Sequence, residues 1–109
     1  MTDFKWSQKE KTIARAAFDK AFQNECNHII AILKERLNNL SDPKEVWRLE
    51  DYLSKKRKQI DQKYEYRYSV LIMVFGVLLN EGWIEMRDLD GLEEEKLQKI
   101  QFVADGLKD

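Results

Sequence analysis

The apolar positions in the first third of the chain repeat at intervals of three and four residues. Between Ser7 and Leu40 no Gly or Pro interrupts this spacing, which is typical of one face of an amphipathic helix. Ser7 and Glu10 form a capping-box pattern at its start. The apolar stripe consists of Ala14, Phe18, Ala21, Phe22, Cys26, Ile29, Leu33, Leu37 and Leu40. The pattern predicts one helix of about 33 residues.

A second amphipathic helix is predicted directly after the first. Asp42 suits the N-cap position, Pro43 suits the first helical turn, and Glu45 completes a second capping box. The apolar stripe of this helix is Val46, Leu49, Leu53, Ile60 and Tyr64, with Arg57 at its edge. The pattern predicts a helix of roughly six turns.

The rest of the chain predicts a junction and two shorter helices. Tyrosines at every second position of residues 64–68 indicate a helix end or a junction, and core packing is favoured over base stacking because an apolar segment follows directly. Residues 70–79 are apolar except for Gly76; a helix enclosed on all sides is favoured over a strand, which would have no partner strand. Gly82 can end this helix in the left-handed conformation, and a last helix follows the turn at 88–91.

Composition supports an all-α fold in one domain, residues 1–109. Charged residues make up 36% of the chain, whereas it has only four Gly and one Pro, which disfavours turn-rich β folds. The net charge is -1, from 19 Lys/Arg and 20 Asp/Glu, so a nucleic-acid partner is disfavoured. The basic run at 55–58 fans around its helix and is interpreted as a solvated face.

The sequence contains few residues suited to catalysis or metal binding. Cys26 is the only cysteine and His28 the only histidine, which excludes an intrachain disulfide and a Cys/His zinc cluster. A metal site of Glu25, Cys26 and His28 is disfavoured against a solvated histidine. We therefore expect no enzyme activity, cofactor or metal. The chain has no signal peptide and no apolar run of about 18 residues, so a cytoplasmic protein without membrane insertion is expected.

The length of the first helix predicts a homodimer. A helix of about 33 residues is roughly 50 Å long, whereas a compact monomer of this size is about 34 Å across. The second helix is about ten residues too short to cover the first. A twofold-symmetric antiparallel dimer would bury both apolar stripes. The predicted dimer interface is Val46, Leu49, Leu33, Leu37 and Leu53.

Two residues of the second helix lie away from its apolar stripe. Trp47 and Asp51 are one turn apart, and an exposed aromatic beside a carboxylate is typical of an interaction hot spot. The alternative is that Trp47 packs on the dimer mate or on another helix. Arg57 would be costly to bury unpaired, and the alternative to a functional role is an ion pair with Glu50, Asp51 or Asp61.

The sequence VWRLEDYLSKKR at 46–57, followed by IDQKY at 60–64, resembles the fluorescence recovery protein family of cyanobacteria. The matches continue in LLNEG at 78–82 and in Trp6-Ser7-Gln8 near the start. The resemblance implies an antiparallel all-helical dimer, with two long helices at about 7–68 as the body and two shorter helices at about 69–109 as the head. It also implies a protein that carries no pigment and performs no chemistry.

The resemblance further implies a partner and the residues that contact it. Family members bind the photoactivated red form of the orange carotenoid protein, largely through its C-terminal domain. They detach it from the phycobilisome and speed its return to the orange form, so association with the phycobilisome on the thylakoid is expected through the partner. The family's functional residues match Trp47, Asp51, Arg57 and the head residue Lys99, and its dimer centre matches Val46.

Two positions depart from the family pattern. Glu50 stands where the family has His, and Met73 stands where it has Phe. Both lie on the partner surface that the resemblance implies, while the dimer positions are retained. An adaptor for a different protein partner therefore stays open as the alternative. A small nucleic-acid-binding regulator is a third reading, against which the net charge counts.

Overall fold

The computed structural model describes residues 5–108, and all of its regular structure is helical. The elements are α1 (Gln8–Asn38), α2 (Pro43–Lys63), α3 (Leu71–Glu81), a 3₁₀ helix (Met86–Leu89) and α4 (Glu94–Gly106). The predicted all-α class is therefore confirmed.

The first helix begins where its capping box was predicted. The Ser7 Oγ atom accepts a hydrogen bond from the Glu10 backbone N–H, and the Glu10 carboxylate accepts one from the Ser7 N–H, both at 3.1 Å. The helix has 31 residues, which is about 46 Å. The radius of gyration is 16.7 Å and the extents are 52 × 23 × 23 Å, compared with a radius of about 13 Å for a compact chain of this length. The chain is thus an elongated molecule, as the helix length predicted.

The second helix runs back alongside α1 in the antiparallel direction. The Arg36 guanidinium lies 5.4 Å from the centre of the Tyr52 ring, and the Lys63 ammonium lies 2.7 Å from the Glu25 carboxylate. At the start of α2, Asp42 accepts from the Lys44 N–H at 3.0 Å. The capping box predicted with Glu45 is wrong, because Asp42 caps Lys44 and the Glu45 carboxylate pairs with Arg48.

The hydrophobic core lies at one end of the molecule, which we call the head. It joins the first half of α1 to α3, the 3₁₀ helix and α4. Its largest fully buried apolar side chains are Phe75, Leu71, Leu78, Leu89 and Ile100. Gly76 lets α3 and α4 cross closely, since a Cβ atom built there would lie 2.3 Å from Val103 Cγ1. The prediction that α3 is enclosed on all sides is wrong, because Met73 is 57% exposed.

The tyrosine-rich segment forms a junction, and its first two rings pack on the core. Tyr64 and Tyr66 meet the Phe18 ring edge-on, with centroid distances of 5.4 and 4.9 Å. Tyr68 is more exposed and lies 5.8 Å from the Trp6 ring. The predicted junction and core packing are therefore confirmed for this segment.

A network of polar side chains connects α2 to the head, and we call it the neck network. The Lys63 ammonium lies 2.6 Å from the Glu81 carboxylate in addition to its contact with Glu25. Tyr64 Oη donates to Glu25 at 2.8 Å, and Trp83 Nε1 donates to Glu81 at 2.9 Å. One ammonium therefore bridges α1 and α3 at the end of α2.

Candidate protein-binding surfaces

No residue of α2 is fully buried in the chain. Its partly buried positions lie on the side that faces α1, and they include Leu49, Tyr52, Lys56, Ile60 and Lys63. At about 100° per residue, Val46 and Leu53 fall on the flank of this side. Both are exposed, at 43% and 37%. The apolar stripe of α2 is thus wider than the surface that α1 covers.

The first helix has a matching apolar flank. Leu33 is partly buried, whereas Ile30 and Leu37 are exposed. Of the five residues predicted at the dimer interface, Leu33 and Leu49 are therefore partly covered within the chain. Val46, Leu37 and Leu53 are exposed. Together with Ile30, these three exposed residues form what we call the body stripe.

Trp47 and Asp51 lie on the outer side of α2. Trp47 is 66% exposed and Asp51 is exposed. At about 100° per residue, both point away from the side that meets α1. The alternative in which Trp47 packs on another helix of its own chain is therefore wrong. We call Trp47, Asp51 and the exposed Glu50 the outer cluster.

Arg57 is exposed, and of the three carboxylates considered as its ion-pair partners it meets Asp61. Its side chain is 85% exposed, and its Nε atom lies 3.9 Å from the Asp61 carboxylate. Such a surface pair contributes at most about 1 kcal/mol, so it leaves the guanidinium available. Six residues separate Arg57 from Asp51, which is about 9 Å and 240° on a helix. Within one chain, Arg57 therefore lies apart from the outer cluster.

The remaining predicted partner residues lie on the head. Met73 borders an open groove of about 500 Å³ between α3 and the end of α2, with Gln59, Gln62 and Glu81. Lys99 is exposed on α4. Sixteen residues of α2 separate Trp47 from Lys63, which is about 24 Å. The chain thus presents two separate candidate surfaces, one on the body and one on the head.

The structure adds one residue that the sequence analysis passed over. Phe102, one turn after Lys99 on α4, is 80% exposed, while the neighbouring Val103 contacts α3. The sequence feature that could have identified Phe102 is its position just off the apolar stripe of α4. Trp47 lies off the stripe of α2 in the same way. Phe102 gives the head an exposed aromatic beside a cation.

Glu25, Cys26 and His28 are the residues that the sequence analysis considered as metal ligands. Within residues 5–108, no group of three or more His, Cys, Asp and Glu is placed to hold a metal ion. Burial, and then the charge of Glu25, raises the pKa of Cys26, which lowers its thiolate content at neutral pH. His28 is exposed, and its ring lies 5.6 Å from that of Trp83. None of the helices in the described part of the chain is long and apolar enough to cross a membrane.

Comparison with known proteins gives consistent matches over nearly the whole chain. Residues 6–104 match the family of the photoprotection regulator fluorescence recovery protein. The fluorescence recovery protein of Synechocystis sp. strain PCC 6803 is 39% identical over 99 residues, which cover 91% of each chain.

Solved structures of this family have the same fold. The fluorescence recovery protein of Fremyella diplosiphon superposes with a TM-score of 0.89 at 40% identity, covering 93% of this chain and 99% of that one. The Synechocystis protein gives a TM-score of 0.89 at 39% identity, with the same coverage. This chain belongs to the fluorescence recovery protein family of photoprotection regulators.

Proposed function

We propose that this protein is a non-enzymatic homodimer that binds the photoactivated orange carotenoid protein. It detaches that protein from the phycobilisome and accelerates its return to the orange resting form. The observation that carries the proposal is the outer cluster, because Trp47 and Asp51 are both exposed and unused by the fold. Exposed tryptophans are enriched among the residues that dominate protein interfaces.

The body stripe supports the homodimer. Val46, Leu37 and Leu53 are exposed on two helices that lie side by side, and contiguous exposed apolar surface marks interaction sites. A twofold axis would bring each stripe against its own copy, which covers all three residues at once. The dimer is tested by analytical ultracentrifugation of the wild type and of Leu53→Glu. A wild-type monomer at micromolar concentration would reject it.

The regulatory step needs more than binding to the resting form. A partner that accelerates the return must stabilise the transition state for it, since stabilising the end state alone would shift the population without raising the rate. The outer cluster and the head lie about 24 Å apart along α2. Contacts at two such separated points would hold two parts of the partner at a fixed separation.

The function is tested by mixing the protein with red-form orange carotenoid protein and following its absorbance in the dark. We expect faster recovery with the wild type, and a loss of most of the acceleration with Trp47→Ala or Asp51→Leu. Lys55→Ala, at an exposed position on the same helix, is the matched control and should keep the wild-type rate. An unchanged recovery rate with an intact wild-type dimer would reject this partner.

An adaptor for a different protein partner is the second candidate function. Glu50 and Met73 favour it, because both are exposed and both differ from the residues that the family resemblance led us to expect. The double variant Glu50→His/Met73→Phe separates the two candidates in the same assay. If only the double variant accelerates recovery, these two residues have retargeted the surface. Equal acceleration by both forms would favour the orange carotenoid protein as the partner.

A further inference from the structure

One surface groove of the described residues lies on the head, away from the outer cluster and from Met73. It has a volume of about 620 Å³ and runs along the outer face of the first half of α1. Two cations, two tyrosines and one acid contribute to its lining, which includes Lys11, Arg15, Tyr66, Tyr68, Thr12 and Asp19. We call it the α1 groove.

Both cations of the α1 groove rest on aromatic rings. The Arg15 guanidinium carbon lies 4.5 Å from the centre of the Tyr66 ring, and the Lys11 ammonium lies 5.1 Å from that of Tyr68. A cation over an aromatic face is attracted to it, so the rings hold both side chains over the groove. Because the two side chains are already ordered, they lose less conformational entropy when a ligand binds.

The spacing of the two cations favours an anion between them. Lys11 and Arg15 are four residues apart on one helix, where like charges repel by a few tenths of a kcal/mol. Asp19 lies beyond Arg15 and approaches its Nε atom at 3.6 Å, while the Arg15 side chain stays 57% exposed. The groove therefore has a net charge of +1 in a chain whose net charge is -1. Its positive end is the end at Lys11.

We propose that the α1 groove binds an acidic segment of a protein partner, with a carboxylate between Lys11 and Arg15 and neighbouring apolar side chains beside the tyrosine rings. An Arg fork and an ammonium recognise carboxylates through charge-assisted hydrogen bonds. Two cations are too few to follow a nucleic-acid backbone. The site uses neither the dimer nor the outer cluster, so it does not depend on the function proposed above.

The test is an NMR titration of the ¹⁵N-labelled full chain with a synthetic peptide of alternating glutamate and leucine. We expect the largest shift changes at Lys11, Arg15, Tyr66 and Tyr68. The peptide with glutamine in place of glutamate should bind at least about tenfold more weakly. Binding should also weaken as the salt concentration rises, because exposed charges are screened.

Two charge-reversal variants locate the binding. Lys11→Glu/Arg15→Glu should weaken peptide binding by about tenfold or more, whereas Lys55→Glu/Lys58→Glu, an equal charge change at exposed positions of α2, should leave it unchanged. Circular dichroism checks that both are folded, and Arg15→Gln, which should also weaken binding, is the milder alternative. Equal weakening by both double variants would overturn the site. So would inorganic phosphate or duplex DNA that bound these residues more tightly than the peptide.

Discussion

The head and the body of this molecule differ in how completely they bury their apolar side chains. The head encloses Phe75, Leu71 and Ile100 completely, together with the ion pair of Glu10 and Lys96. The body consists of the second half of α1 and of α2, and α2 buries no residue fully. A fully buried core is stable within one chain, whereas an open apolar stripe gains stability only when another surface covers it. We therefore expect the stability of the body, more than that of the head, to depend on association.

The largest expected difference between the two regions is the cost of truncating an apolar side chain. Phe75→Ala should lower the free energy of unfolding by about 3–5 kcal/mol, because it removes a fully buried ring from a packed core. Leu53→Ala, at a position 37% exposed, should cost less than about 1 kcal/mol in the monomer. Urea unfolding at a low protein concentration measures both. Equal costs would contradict the division into a packed head and an open body.

The ion pair inside the head should give the next largest effect. The Lys96 ammonium lies 3.1 Å from each oxygen of the Glu10 carboxylate, and both side chains are about 3% exposed or less. Removing one partner of a buried pair costs about 3–5 kcal/mol. Lys96 also donates to the Lys5 carbonyl at 2.7 Å and lies 5.1 Å from the Trp6 ring, so we expect Glu10→Gln to fall near about 3 kcal/mol. Glu10→Gln/Lys96→Met should recover part of the loss in the same urea assay.

The carboxylate of Glu10, in the head, predicts that the stability of the protein depends on pH. Burial alone would raise the pKa of Glu10, but the backbone N–H groups of Glu93 and Ser7 and the Lys96 ammonium outweigh it and lower this pKa. A lowered folded pKa gives stability that is present above the unfolded value of about 4.3 and is lost as the pH falls through the folded value. As the pH falls below about 4.5, the thermal unfolding temperature should therefore decrease more steeply for the wild type than for Glu10→Gln. Parallel curves would show that Glu10 is not the group responsible.

The smallest effect is expected at an exposed ion pair of the body. Arg57→Ala should change the free energy of unfolding by less than about 0.5 kcal/mol, because the contact with Asp61 is long and solvated. Its effect on partner binding should be larger than its effect on folding. A destabilisation comparable to that of Glu10→Gln would mean that Arg57 becomes buried between copies of the chain.

Local signals in the sequence were sufficient for the starts of α1 and α2 and for the end of α3. The Ser7 capping box forms as predicted, and Gly82 ends α3 with φ 85° in the left-handed conformation. Each depends on residues within one turn of each other, so the sequence contains the whole interaction. The second capping box failed for an equally local reason, since Arg48 competes for the carboxylate of Glu45.

The tertiary contacts could not be predicted in the same way. Lys96 is fully buried because it meets Glu10, a residue 86 positions earlier, and no periodicity relates two residues so far apart. The exposure of Met73 on α3 depends on the residue at which α2 ends. For the outer cluster, the wheel angles alone indicated exposure of Trp47 and Asp51, and the structure agrees. Which protein meets these residues is a property of the partner as well as of this chain.

The close crossing of α3 and α4 has a consequence for the evolution of the sequence. A side chain at position 76 would meet Val103 and, at 3.3 Å, the Ile100 carbonyl oxygen. A smaller residue can replace Val103, but the Ile100 carbonyl belongs to the backbone and moves only with the helix. Substitution at position 76 is therefore expected to occur together with a smaller residue at position 103. Gly76→Ala should be tolerated better with Val103→Ala than alone, and the two positions should covary among relatives that share this crossing.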